Sequence, residues 1–428
     1  MLVSIFIGII VLLTYFFNFL NQTETVVKKV TEIYFADDIS IAHRLIIDKF
    51  NKKYEGSIKV IPIDLPFTKF STNERKELLT RSLRSKSERI DVFSVDIIWV
   101  HRFAKWCDSL NKFLSPQQLK EFLPEAIDYC MYKNKLMAIP MYIDIGVLYY
   151  RDDLLKKLPD YDELIKKIRN SITYEEFFEL GKRIGNSAES YYVFPGADYE
   201  GLICSYFELI LNQDKDFFKG DKIDFTRPPA RKALQLLYDL VNNQRYTPFE
   251  ALEFTEHPAR DYFKTGKSVF LRGWPGYNTD FNISVRDSIM RKNLKIGALP
   301  HFEGTDPAFV FGGWNLMVSK FSKHKNEVKK FIEFFISDEA QKILYEFDSC
   351  LPIKNNLYTD GFLEKHPELE YMRGLLKHGI TRPLLEDYTR ISDIVSYYVN
   401  KAMSGEISID AALQKSTDLI NSNKVIIK

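Results

Sequence analysis

Residues 133–155 read KNKLMAIPMYIDIGVLYYRDDLL, and this stretch concentrates groups able to hold a polar molecule. A polar turn leads into an extended apolar run in which Tyr142 and Asp144, two positions apart, share one strand face. A second run, 147–150, ends at Arg151. Two tryptophans occupy glycine-rich settings: Trp274 in Arg272-Gly273-Trp274-Pro275-Gly276-Tyr277, and Trp314 directly after Gly312-Gly313. An indole face packs against the C–H face of a pyranose, on the order of 1 kcal/mol per well-packed ring by analogy with aromatic pairs. Asp96 and Asp144 offer carboxylates to vicinal hydroxyls, typically ~1.5–3 kcal/mol for a charge-assisted bond. Gly312 and Gly313 would let backbone amides approach closely. The chemistry is that of holding a neutral, polyhydroxylated solute. Asp37, Asp38, Trp99, Arg272, Tyr277 and Arg382 are further candidate ligand contacts. A helix cap, a salt bridge, a turn or a core aromatic would explain each candidate in structural terms.

These residues need a layered scaffold. The segment EIYFA at 32–36 reads as a strand, followed by Asp37-Asp38 and a Ser40 helix cap. Ala42, Leu45, Ile46 and Phe50 then mark an amphipathic helix. Strands at 57–63 and 90–94 follow, the second leading to Asp96, Trp99 and a helix through Trp106. Strands alternating with helices predict an α/β layer with a largely parallel sheet. In such sheets ligands sit beyond the carboxyl ends of the strands, where Asp37, Asp38 and Asp96 fall. Thr173 with Glu176 predicts a capping box, with Gly185 as the stop. Short strands are expected at 269–271, 296–299 and 314–319, and helices at 228–243, 326–347 and 408–421, the middle one continuous.

At 428 residues, two or three cores are the natural expectation. A formal net charge of +1 gives no field to draw in nucleic acid. Residues 2–20 carry no charge, and at about 1.5 Å per helical residue they span most of a ~30 Å hydrocarbon layer. Without a small-x-small cleavage site or a lipid-acceptor cysteine nearby, an uncleaved anchor is favoured over a signal peptide. The rest is placed outside the cytoplasmic membrane. Cys107, Cys130, Cys204 and Cys350 show no CxxC spacing and read as buried thiols. The seven histidines lack HxxxH-type spacing, so neither a metal nor another cofactor is expected.

The order of motifs is specific. D-x-x-W is followed by K-L-x-A-I-P-x-Y-x-D-x-G-x-L-Y-Y-R-x-D-L, T-Y-E-E-F, G-x-W-P, G-G-W-x-L, a helix with F-x-x-S-x-E-A-Q, and R-P before a C-terminal helix. Over roughly residues 31–425 this resembles the extracellular solute-binding proteins of carbohydrate ABC importers, the group containing the maltose- and trehalose-binding proteins. The resemblance implies a two-lobed α/β periplasmic-binding-protein fold of type II, with sugar held between hinged lobes, preceded here by the N-terminal hydrophobic helix. It places 31–139 with 312–347 in one lobe and 141–300 with 351–428 in the other, leaving 1–30 as anchor or signal. The crossings would lie at Ile139-Pro140-Met141 and near Leu299-Pro300. The implied partners are a di- or oligosaccharide and ABC permease subunits, for a monomer that performs no chemistry. A polyamine or peptide carrier is the alternative, the polyamine because Asp37, Asp38, Asp96 and Asp144 could also surround a cation, and a ligand-sensing receptor module is a third, favoured by an uncleaved anchor. Nothing separates a proton donor from a nucleophile, as a carbohydrate hydrolase would require.

Overall fold

Ile33, Phe35 and Ala36 drive the first strand into the core, and helix Ile41–Lys53 returns over it with Ala42, Ile46 and Phe50 inward. Ser40 caps that helix by accepting the His43 amide. The computed structural model describes Thr14 and residues 30–422, except 68, 71, 186, 221, 285–287 and 386. The anchor expected at 2–20 therefore lies outside the described residues, Thr14 apart. Among the described residues, no helix is long and apolar enough to cross a membrane.

Two sheets organise the chain. Strands β1 (Thr31–Asp37), β2 (Ile58–Asp64) and β3 (Val92–Asp96) are parallel, with helices Ile41–Lys53 and Thr72–Arg84 as crossovers. After a small hairpin, β4 (Met131–Tyr132) and β5 (Lys135–Leu136), comes β6 (Ile139–Ile145). The second sheet takes β7 (Val147–Arg151), β8 (Ser190–Val193), β9 (Ser268–Gly273) and β10 (Leu294–Gly297), in the order β10-β7-β9-β8. The long strand β11 (Phe309–Val318) returns to the first sheet, where β12 (Gly379–Ile380) flanks it in the order β12-β11-β3-β1-β2, with β6 also on β11. β6 pairs within the first sheet and β7 within the second, so sheet membership changes at Gly146. The return falls between β10 and β11.

The Thr173–Glu176 capping box is present, and Gly185 ends that helix at φ +56°. The helix expected over 326–347 is two, Lys325–Phe335 and Asp338–Asp348. Ser337 accepts the Ala340 amide and starts the second, with Asp338 and Glu339 in its first turn. That start signal outweighs the apolar periodicity running across the break. All four cysteines are buried and unpaired.

Candidate functional site

Register builds the site. On β11, Trp314 lies opposite Asp96 of β3 and Tyr142 of β6, so three candidate residues stand abreast on neighbouring strands. Gly312 lies opposite Asp144 in the same ladder. From the second sheet, β9 ends at Gly273 and turns through Trp274, whose carbonyl accepts the Tyr149 hydroxyl at 2.9 Å. Between these two walls lies a cavity of about 230 Å³, just below the ~300–1,000 Å³ usual for small-molecule sites.

Asp96, Tyr142, Asp144, Gly312, Gly313 and Trp314 line it from the first sheet. Trp274, Tyr277 and Arg382 line it too, the first two beyond the end of β9. Asp37 and Asp38 instead face an adjoining cavity of about 350 Å³ that shares Phe67, Tyr142 and Trp314 with the first. Trp99 and Arg272 line neither. Trp99 is buried under Trp314, edge to face at 6.2 Å, and Arg272 lies behind Trp274 with its guanidinium 4.4 Å from the ring centroid. Sequence reasoning missed Glu200, Glu256 and Tyr199 among the lining residues. Both glutamates open helices, Glu200–Gln213 and Glu256–Lys264, where an acid reads as an ordinary partner of the helix dipole.

Gly312 is required by a close approach. A Cβ there would stand 2.7 Å from Trp274 Cζ3 and 3.2 Å from Asp144 Cβ, so the indole edge rests directly on the backbone of the opposite sheet. Gly313 adopts φ +125°, a conformation suited to glycine, with the Tyr142 carbonyl 2.6 Å from where its Cβ would be.

Three buried arginines organise the surrounding charge. Arg75 lies between Phe67 and Trp314, 4.2 and 4.3 Å from their ring centroids, and donates to Asp37 at 2.6 Å. Ser94 also donates to Asp37, and His43 Nε2 is 3.3 Å from its other oxygen. Asp37 is thus consumed by internal partners. Arg382 reaches Asp96 at 3.1 Å and Glu200 at 2.5 Å, neutralising two carboxylates with one cation. Arg272 has its ion contact with Glu208, 3.8 Å away.

Burial pushes the Asp144 carboxyl well above the usual range, offset only in part by Arg272, and its Oδ1 has no hydrogen-bond partner among the described residues. Burial also raises Glu256. Asp38 is pushed up to about 6 by burial and the neighbouring Asp37 charge. Burial pushes the Cys204 thiol in the cavity wall up to about 12, which leaves it a poor nucleophile near neutrality.

The Asp37–His43 pair predicts a pH signature. For His43, burial works against the charge, but the hydrogen bond and charge of Asp37, then Asp348 and Asp38, raise its pKa overall. A raised histidine contributes stability that is complete below the unfolded value near 6.5 and fades as pH rises through the folded one. Asp37 is lowered overall, burial being outweighed by His43, Arg75 and Ser94, so its contribution is lost only as pH falls below about 4. In His43→Gln, urea-unfolding midpoints should lack the alkaline decline expected of the parent above about pH 6.5. An unchanged alkaline decline would assign it elsewhere.

Comparison with known proteins agrees with this architecture. The model of the bacterial extracellular solute-binding protein family matches residues 34–342, and the chain belongs to that family. A Deinococcus radiodurans protein bearing the name "Probable ABC transporter-binding protein" is 27% identical over 378 residues, 86% of each chain. The arabinooligosaccharide-binding protein of Bacillus subtilis is 23% identical, covering 82% of this chain and 81% of that one. Among solved structures, maltose-bound MalE3 of T. maritima superposes with a TM-score of 0.83 at 27% identity, covering 92% of this chain and all of that one. The fold is the two-lobed type II architecture of periplasmic binding proteins, and the family places the protein outside the cytoplasm.

Proposed function

We propose that this protein captures a di- or oligosaccharide in the cleft between its two sheets and hands it to an ABC permease. The observation that carries this is the shared cavity, where Trp274, beyond the end of β9, comes together with Trp314, Asp96 and Asp144 of the first sheet. The relatives that bind arabinooligosaccharide and maltose support the same class of ligand. We read the nine lining residues predicted from sequence as ligand contacts, and Asp37, Trp99 and Arg272 as the groups that seat them. For the lobes we keep the expected ranges as our reading, with the first crossing placed at Gly146 and β12 carried on the first sheet. The protein acts as a monomeric carrier with no catalytic step, tethered through residues 2–20.

Charge balance favours a sugar over a polyamine. Asp96 and Glu200 already share Arg382, while Asp144 and Glu256 are held towards their neutral forms by burial. A cavity so balanced offers hydrogen bonds rather than a cage for a polycation. A thermal-shift panel of mono-, di- and oligosaccharides alongside putrescine and spermidine tests this. A saccharide at 100-fold its Kd should stabilise the protein by about 2.7 kcal/mol. Stabilisation by polyamines alone would overturn the reading.

A further inference from the structure

Both passages between the sheets meet at one carboxylate. Gly146, the single residue between β6 and β7, donates its N–H to the Val310 carbonyl at 3.2 Å. Val310, on the returning strand β11, donates its own N–H to Glu208 Oε2 at 2.9 Å. Glu208 belongs to helix Glu200–Gln213 and is only 6% exposed. A Cβ on Gly146 would lie 2.8 Å from the same oxygen, so the outgoing chain passes directly across it. On its other side stands Arg272 Nη2 at 3.8 Å, whose guanidinium backs the Trp274 ring. None of the three Arg272 side-chain nitrogens has a hydrogen-bond partner among the described residues. An isolated buried guanidinium is costly, so its seat depends on the nearby carboxylate.

We propose that Glu208 is a positioning residue that ties the hinge to the cleft wall, its carboxylate fixing the Val310 amide of one crossing, bordering Gly146 of the other, and holding Arg272 behind Trp274. The interlobe angle and the seat of the indole are then set by one side chain. The ligand arm of the test rests on the saccharide reading; the hinge arm does not.

Glu208 is pushed up to about 6, chiefly by burial, against the opposing effects of Arg272 and the Val310 amide. The other titratable groups around the pair include Asp144 on β6, Glu256 at the start of helix Glu256–Lys264, Cys204 one turn earlier on the same helix as Glu208, Tyr192 on β8, Tyr174 and Tyr277. Cys204 and the tyrosines stay neutral near pH 6, being raised by burial. Asp144 and Glu256, both raised by burial, are the competing sources of titration.

The test uses the full chain, ligand-free, with spin labels on Lys52→Cys and Lys215→Cys, both exposed positions on the two sides of the cleft. Glu208→Gln keeps the acceptor for Val310 but removes the charge opposite Arg272. It should shift the interlobe distances towards open and abolish the change expected of the parent between pH 5 and 7 as Glu208 titrates. Saccharide affinity should fall about ten-fold, the size of one charge-assisted contact. Gly146→Ala, which puts a methyl against Oε2 and equally against Leu299 Cδ1, should open the hinge in the same sense should Glu208→Gln fail to fold. Parent-like distances in a folded Glu208→Gln, or failing that in Gly146→Ala, would overturn the proposal. So would a parent-like pH response in Glu208→Gln, which would assign the titration to Asp144 or Glu256. Hinge opening with no saccharide bound by the parent would leave this proposal standing and remove the sugar reading instead.

Discussion

Trp274→Ala should weaken saccharide binding roughly 30- to 150-fold, about 2–3 kcal/mol, while the protein stays folded. The ring is only partly buried, leans on Gly312 of the opposite sheet and has Arg272 on one face. What it presents to the cavity is therefore free to stack on a sugar, and its loss removes that surface without opening the core. Trp314 differs. It is 8% exposed and packs against Phe67, Trp99 and Arg75. Removing it should cost on the order of 3–5 kcal/mol of stability, so its binding defect would be entangled with unfolding. Trp274→Phe should recover part of the loss, because a smaller aromatic face remains. Calorimetry on the saccharide selected by the thermal-shift panel checks this. Parent-like affinity in folded Trp274→Ala would remove the stacking argument.

The parts of this site legible in sequence are those set by local spacing. Tyr142 and Asp144 fall on one strand face because side chains alternate, and Gly312-Gly313-Trp314 announces a close backbone approach beside an aromatic. The strands β1, β2 and β3 were similarly visible from short apolar runs bounded by turn residues. What sequence could not show is which charges cancel. Asp37 looks available at the end of β1, yet Arg75 and His43 arrive from two separate helices to consume it. Glu200 and Glu256 reach the cavity only because their helix starts point into it, a consequence of packing between distant segments. Trp99 sits in a promising motif but turns beneath Trp314. Gly146 carries no local signal of a crossing; its role appears only when the pairing of β6 and β7 with different sheets is known.

Arg382→Ala should also produce a large loss of stability at this site, on the order of 3–5 kcal/mol near neutral pH. The guanidinium is 1% exposed and is held between Asp96, at the end of β3, and Glu200, at the start of the opposing helix. Glu200 also accepts from the Tyr388 and Ser392 hydroxyls, so it is fixed in place and cannot follow the lost cation into water. Two carboxylates would then face an enclosed cavity without their shared counter-charge. The pH dependence carries the signature. Glu200 is already raised by burial, with Arg382 the main opposing influence, and losing that influence raises it further. An acid with a raised folded pKa favours folding below its unfolded value and forfeits that contribution as pH rises through the folded one. The deficit of Arg382→Ala should therefore be smaller at pH 5 than at pH 8, whereas Glu200→Gln in the same background should flatten the difference. Urea-unfolding midpoints at the two pH values, with unchanged slopes, decide it. A loss below about 1 kcal/mol, or one equal at both pH values, would mean that the three charges are solvated rather than locked between the walls.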